Sequence, residues 1–265
     1  MRLGVAFSPS FSASWRMLVE LANKVGVTAV EVRADDPKLI RKSMLMRFKD
    51  LLSSYNFILG VHAPYADVNL ASLNPFISSS ARRVLSWCIR VSDYLEADYL
   101  ISHMGMFPSD YPRRLRRKAL DNLIRVLRTM AQRANDSNVD LLVENSPKDD
   151  GSNIGSTIEE IRHICLRSGL NVALDLGHAN TMGSLLDYVN ELHDIMKVIH
   201  IHDNDGERDL HLPLGRGNLM VSSCLRLLRR FRYEGPLILQ VRDLRGLIRS
   251  VRRLRNLIMR SSIMK

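Results

Sequence analysis

A single (β/α)₈ barrel is the α/β fold this sequence predicts, and three observations predict it. Short β-branched runs alternate with amphipathic stretches eight times, each run is almost continuously apolar, and no segment of unusual composition divides the 265 residues. Alternating strands and helices build parallel sheets. Parallel strands covered on both faces lack polar alternation, and about 250 residues is the usual size of such a barrel. The chain is therefore read as one domain, residues 1–265, with a doubly wound open sheet as the alternative.

In chain order, strands are expected at 2–7, 28–33, 57–62, 98–103, 139–144, 171–175, 197–202 and 236–241. Helical patterns fall between them at about 13–25, 38–55, 75–95, 112–136, 156–168, 184–194, 220–231 and 244–260. Ser156-Thr157-Ile158-Glu159 reads as a capping box opening the fifth helix. In the last helix Leu244, Leu247, Ile248, Val251, Leu254, Leu257 and Ile258 recur at helical spacing, and arginines fill the other face.

Hydrophobic residues make up 46% of the chain, enough for a sizeable core. Cys88, Cys165 and Cys224 are odd in number and lie in helical patterns, so they are read as buried small hydrophobes rather than a disulfide or zinc set. The apolar run at Met1–Pro9 is too short for a signal peptide, and nowhere do about 18 apolar residues run together. The expectation is a cytoplasmic protein with no membrane partner. Lys and Arg number 38 against 28 Asp and Glu, a net charge of +10. That balance favours nucleic acid or phosphorylated metabolites as partners, or else marks solvated basic helix faces.

The chemistry lies at the strand ends. The third strand ends in Val61-His62-Ala63-Pro64-Tyr65, the fourth in Ser102-His103, the fifth in Glu144-Asn145-Ser146 and the sixth in Asp175-Leu176-Gly177-His178. The seventh closes on His200-Ile201-His202-Asp203-Asn204-Asp205, with Asp209-Leu210-His211 following. Six of the eight histidines fall at strand ends or in the loops after them. In a barrel these ends converge on one face, where imidazole and carboxylate donors suit zinc, manganese or iron. His163, in mid-helix, is read as structural, His193 as without function, and His200 as a partner of a ligand.

The ordered set of motifs resembles the xylose isomerase-like TIM barrel superfamily, and in particular the endonuclease IV (AP endonuclease family 2) branch, over nearly the whole chain. The resembling segments are His62 with Asn69-Leu70-Ala71-Ser72, His103, Glu144-Asn145-Ser146, the D-x-x-H of Asp175 and His178, the H-x-N-D of His202 and the D-x-H of Asp209 and His211. The resemblance implies two to three zinc or manganese ions. His62, His103 and Glu144 would hold one, Glu144, Asp175 and His202 a second, and His178, Asp209 and His211 a third. It also implies a ligand at the end of the eighth strand, where the family has glutamate and this chain has Gln240. An uncharged amide there predicts a weakened second site. The loop Arg33-Ala34-Asp35-Asp36-Pro37 is acidic where a DNA-binding loop would be basic, and Val241-Arg242-Asp243-Leu244 resembles the sugar isomerase and epimerase branch.

Three functions remain open on these grounds. The first is a metal-dependent phosphodiester hydrolase acting at abasic sites in DNA. In it Glu144 is catalytic by bridging two metals, and Tyr65, Arg113, Asn145 and His200 stand on the substrate side. Arg113, Arg114, Arg116, Arg117 and Lys118 begin a helix, where cations oppose the dipole, as a phosphate-facing run would. The second is an isomerase or epimerase of a small, phosphorylated sugar, against which Gln240 counts because an amide is no general base. The third is a binding barrel without activity. An open basic groove would suit DNA, and a pocket of a few hundred cubic ångströms a sugar.

Overall fold

The computed structural model describes residues 1–8 and 10–263. Eight parallel strands close into a barrel: β1 (Arg2–Phe7), β2 (Ala29–Arg33), β3 (Ile58–His62), β4 (Tyr99–His103), β5 (Asp140–Glu144), β6 (Asn171–Asp175), β7 (Met196–Ile201) and β8 (Pro236–Leu239). Pairing of β1 with β8, Arg2 opposite Pro236, completes the closure and excludes the open doubly wound sheet. The strands lie within two residues of their expected positions, because a continuous apolar run is the signature of a strand buried on both faces.

The helices are α1 (Trp15–Lys24), α2 (Pro37–Ile40), α3 (Lys42–Leu52), α4 (Pro75–Leu95), α5 (Arg116–Asp136, after a 3₁₀ turn at Arg113–Leu115), α6 (Ile158–Ser168), α7 (Leu176–Thr181), α8 (Leu185–Glu191), α9 (Val221–Arg230) and α10 (Leu244–Ile263). Three details differ from the sequence reading. The helix expected over 38–55 is two, because Arg41 takes an extended backbone (φ −82°, ψ 121°) and restarts the chain as the N-cap of α3. The cap of α6 is Thr157, one residue after the expected Ser156, and its hydroxyl accepts the Glu160 N–H. A short helix, α7, follows β6 directly where a loop was drawn, with Asp175 as its N-cap.

Most of the core lies between the barrel wall and the helices, while a smaller apolar plug of Ala29, Tyr99, Ile101, Leu142, Ala173, Val198 and Ile238 fills the barrel. Tyr99 enters because Gly60 opposite it has no side chain; a Cβ there would stand 2.2 Å from the tyrosine ring. Its hydroxyl donates to Glu31 at 3.2 Å, so the plug ends in a polar layer beneath the C-terminal face. Cys88, Cys165 and Cys224 are free and buried, and burial pushes each thiol up to about 12. They are inert packing groups. No described helix is long and apolar enough to cross a membrane.

Candidate metal centre

The site is assembled by adjacency in the barrel. His103 of β4 is in register with Glu144 of β5, and Asp175 of β6 with His200 of β7. Nε2 of His103 and Nε2 of His62 approach the same Glu144 oxygen at 2.8 and 3.0 Å. Past β6, the Asp175 carboxylate accepts the His178 N–H at 2.8 Å, so the cap that starts α7 also fixes the histidine three residues on. After β7 the chain loops out, and the buried Asp203 carboxylate ties the loop down by accepting the N–H groups of Asn204, Gly215 and Leu219. That loop delivers Asp209 and His211, the latter in the left-handed region at φ 49°.

The donors form a continuous series. His62, His103 and Glu144 make one cluster, Glu144, Asp175 and His178 a second, and His178, His202, Asp209 and His211 a third, each with ligand atoms within 4.8 Å of one another. Glu144 and His178 are each shared by two of these clusters, and His62 also belongs to a fourth, with Glu31 and His200. Geometry thus groups His178 with Glu144 and Asp175, where the sequence reading placed His202. His202 stacks instead on His211, with ring centroids 3.9 Å apart, and lies 3.2 Å from both Asp175 and Asp209. Gly177 permits this: a Cβ there would come within 2.1 Å of the His202 ring.

Three imidazoles share an orientation. Nδ1 of His62 donates to the Ala63 carbonyl at 2.8 Å, that of His178 to Asn145 at 2.7 Å, and that of His211 to Gln240 at 3.0 Å. A main-chain carbonyl that engages Nδ1 aims Nε2 at the centre, the orientation a metal-ligating histidine needs once Nε2 gives up its proton. Four buried atoms, Asp175 Oδ2, His202 Nδ1 and Nε2, and Asp209 Oδ1, have no hydrogen-bond partner. His202 Nε2 is close to two carboxylate oxygens yet aligned for a hydrogen bond with neither. Buried polar atoms are otherwise paired in native proteins. This donor set therefore fits divalent cations.

Electrostatics agree. Burial opposes ionisation of Glu144, but His103 and His200 hold it well below the usual carboxylate range. Burial likewise opposes charge on His178, yet Asp175, Asp209 and Glu144 push it up to about 10. Asp209 is held low against burial by His178 and His211. The cluster is rich in anionic charge and compensates it with protons where a cation would serve.

Glu31 escaped the sequence reading. It is buried on β2, bound to His200 at 3.0 Å and to Tyr99, with Gln240 Nε2 at 3.3 Å. A carboxylate inside the apolar run Ala29-Val30-Glu31-Val32 was the available signal.

The residues assigned to the substrate side fall in different places. Tyr65 is exposed at the mouth of the cavity, 5.4 Å from the His103 ring and 4.8 Å from the Arg33 guanidinium. Asn145 and His200 do not line the cavity. The Asn145 amide donates to the Asp175 carbonyl at 3.0 Å and accepts its N–H at 2.6 Å, and His200 is enclosed by Glu31 and Glu144. Arg113 is exposed in the 3₁₀ turn and does not line the cavity either. Arg116 instead clamps Glu160 and the carbonyls of Gly151 and Asn153, anchoring the loop after β5. The acidic loop after β2 is partly neutralised, since Asp35 pairs with Arg33 at 2.6 Å. Gln240 lines the cavity with its amide turned toward Glu31 and His200.

The centre opens into a pocket of about 510 Å³, with Arg33, Tyr65 and Arg242 toward its mouth. That is the size of a small-molecule site.

The sequence pattern of the xylose isomerase-like TIM barrel family matches residues 19–257. An uncharacterized protein of Methanocaldococcus jannaschii is 26% identical over 259 residues, covering 94% of this chain and 87% of its own length. A probable endonuclease 4 of Mycoplasmopsis pulmonis is 27% identical over 78% of each chain. Among solved structures, a D-tagatose 3-epimerase-like protein superposes with a TM-score of 0.90 over 99% of both chains at 24% identity.

Proposed function

Because the chain belongs to the xylose isomerase-like TIM barrel family, we propose that it is a divalent-metal-dependent phosphodiester hydrolase whose substrate is DNA with an abasic site. The observation that carries the reading is the unbroken series of three donor clusters joined through Glu144 and His178. One-cation sugar chemistry has no use for His62, His103, His178 and His211 together, whereas phosphoester cleavage uses several cations around one phosphate. Zinc or manganese ions held by these residues would supply Lewis acidity, lowering the pKa of water and neutralising charge on the phosphate.

The chain's own residues supply the rest. Glu144, kept ionised by His103 and His200, joins two clusters and fixes their separation. Main-chain carbonyls orient His62, His178 and His211, so the donors are preorganised. Tyr65 and the cationic Arg33 and Arg242 at the mouth would receive an extruded sugar-phosphate, and about 510 Å³ admits one such unit. The resemblance to a probable endonuclease 4 is consistent with this reading.

A sugar epimerase is the second reading, favoured by the confined pocket and by Glu31, a second glutamate lining it beside Gln240. The test is metal content per chain paired with cleavage of an abasic-site duplex. Two or three ions with strand scission, lost in His211→Ala, are the expected result. One ion and an intact duplex would overturn it, and conversion between ketose C3 epimers would then be the activity to measure.

A further inference from the structure

On the outer wall of the barrel, α4 and α5 frame a groove of about 680 Å³. Five arginines line it: Arg82, Arg83 and Arg90 of α4, and Arg125 and Arg133 of α5. Among the described residues no carboxylate lines it, and all five guanidinium side chains belong to exposed residues. Neutral acceptors hold two of them in place, Ser86 for Arg133 at 3.0 Å and Asn122 for Arg125 at 3.1 Å. Ser79, Ser86 and Thr129 interleave hydroxyls with the cations. Like charges gathered in a concave surface and unrelieved by acid raise the local potential and draw anions. Guanidinium forks match phosphate oxygens, and hydroxyls complete the contacts.

The cations are strung along the helices rather than converging on a point. From Pro75 to Arg90 the groove follows α4 for about 22 Å at 1.5 Å per residue. A nucleic-acid backbone carries one charged phosphate per nucleotide, so a groove of this length meets several in succession. The groove is a concave seam between two packed helices, and its cations face one linear polyanion laid along it. We propose that the groove between α4 and α5 binds the sugar-phosphate backbone of a single-stranded nucleic acid. The site lies outside the metal cavity and does not rest on the hydrolase reading.

The test is anisotropy of an end-labelled single strand without abasic sites, titrated with the purified protein over a range of salt. Replacing Arg82, Arg83 and Arg90 with Gln is expected to reduce the slope of log affinity against log salt by about 2, at ~0.7 per lost phosphate contact. The matched variant Arg245→Gln, Arg249→Gln, Arg252→Gln removes the same charge from α10 and is expected to keep the slope. Thermal melts establish that both variants fold. Equal flattening in the two variants, an unchanged slope in the first, or no binding by the parent protein would overturn the proposal. Binding of this kind with an uncut abasic duplex would remove the hydrolase reading and leave the groove. Cleavage with an unchanged slope would do the reverse.

Discussion

Nδ1 of His200 lies 2.6 Å from a Glu144 oxygen while its Nε2 lies 3.0 Å from Glu31, so one fully buried imidazole joins two buried carboxylates. Burial opposes charge on the ring, but Glu31 and Glu144 raise its pKa well above the ordinary value and so favour the imidazolium. His200→Ala would strand two anions without a counter-charge. A loss of about 3–5 kcal/mol is expected in urea denaturation. A midpoint equal to that of the parent protein would show that the imidazole is not what compensates them.

Gln240 sits where a carboxylate would face Glu31, with its amide nitrogen 3.3 Å away. Gln240→Glu should lower the melting temperature of the chelated protein, through repulsion between neighbouring acids, and enlarge the upward shift produced by zinc. The two shifts have opposite signs, and melting curves with and without zinc read both. A variant that responds to zinc no more than the parent would place position 240 outside the cation's reach.

Zinc uptake should release protons. In the metal-free protein the His178 pKa is raised from 6.5 to about 10. The stability this contributes is fully present below 6.5 and is lost as pH rises through about 10. Over the same interval a cation must displace the proton, so zinc affinity should climb with pH. Calorimetry at about pH 8 in two buffers of different ionisation enthalpy measures the protons released. Identical heats in the two buffers would contradict a protonated His178.

Asn145 is predicted to act on metal binding without touching substrate. Its amide holds both the N–H and the carbonyl of Asp175, and Asp175 caps the helix carrying His178. Asn145→Ala leaves the buried Asp175 N–H unpaired, since the Asp175 carbonyl still accepts the first bond of α7, and this costs about 1–3 kcal/mol. Zinc affinity should fall by about 10- to 100-fold, as measured by competition with a chelator. A destabilised variant that still binds zinc like the parent would confine Asn145 to the fold.

The barrel was legible because buried parallel strands write themselves as apolar runs, and the ends of those runs named His62, His103, Glu144 and Asp175. What the sequence hid was geometry that pattern does not encode. Periodicity continues across Arg41, so nothing marked the restart between α2 and α3. Asp175-Leu176-Gly177-His178 was read as a motif, yet it is also a capped helix start, which swings His178 between two clusters. Asn145 and His200 carried the polarity of substrate contacts but proved to be enclosed by the groups they brace. Glu31 lies in the middle of β2, away from the strand ends where the other donors gather. Arg116, in a basic run that suggested phosphate, is claimed by Glu160.

The contact between Gly177 and His202 bears on which sequences this barrel can tolerate. A hydrogen is the largest substituent the gap accepts, since one methyl group would stand 2.1 Å from the imidazole. The position therefore gauges side-chain size at 177 and enforces ring placement at 202 through a single contact. A lineage that enlarged the first would have to redraw the second in the same step or forfeit the histidine's station between Asp175 and Asp209.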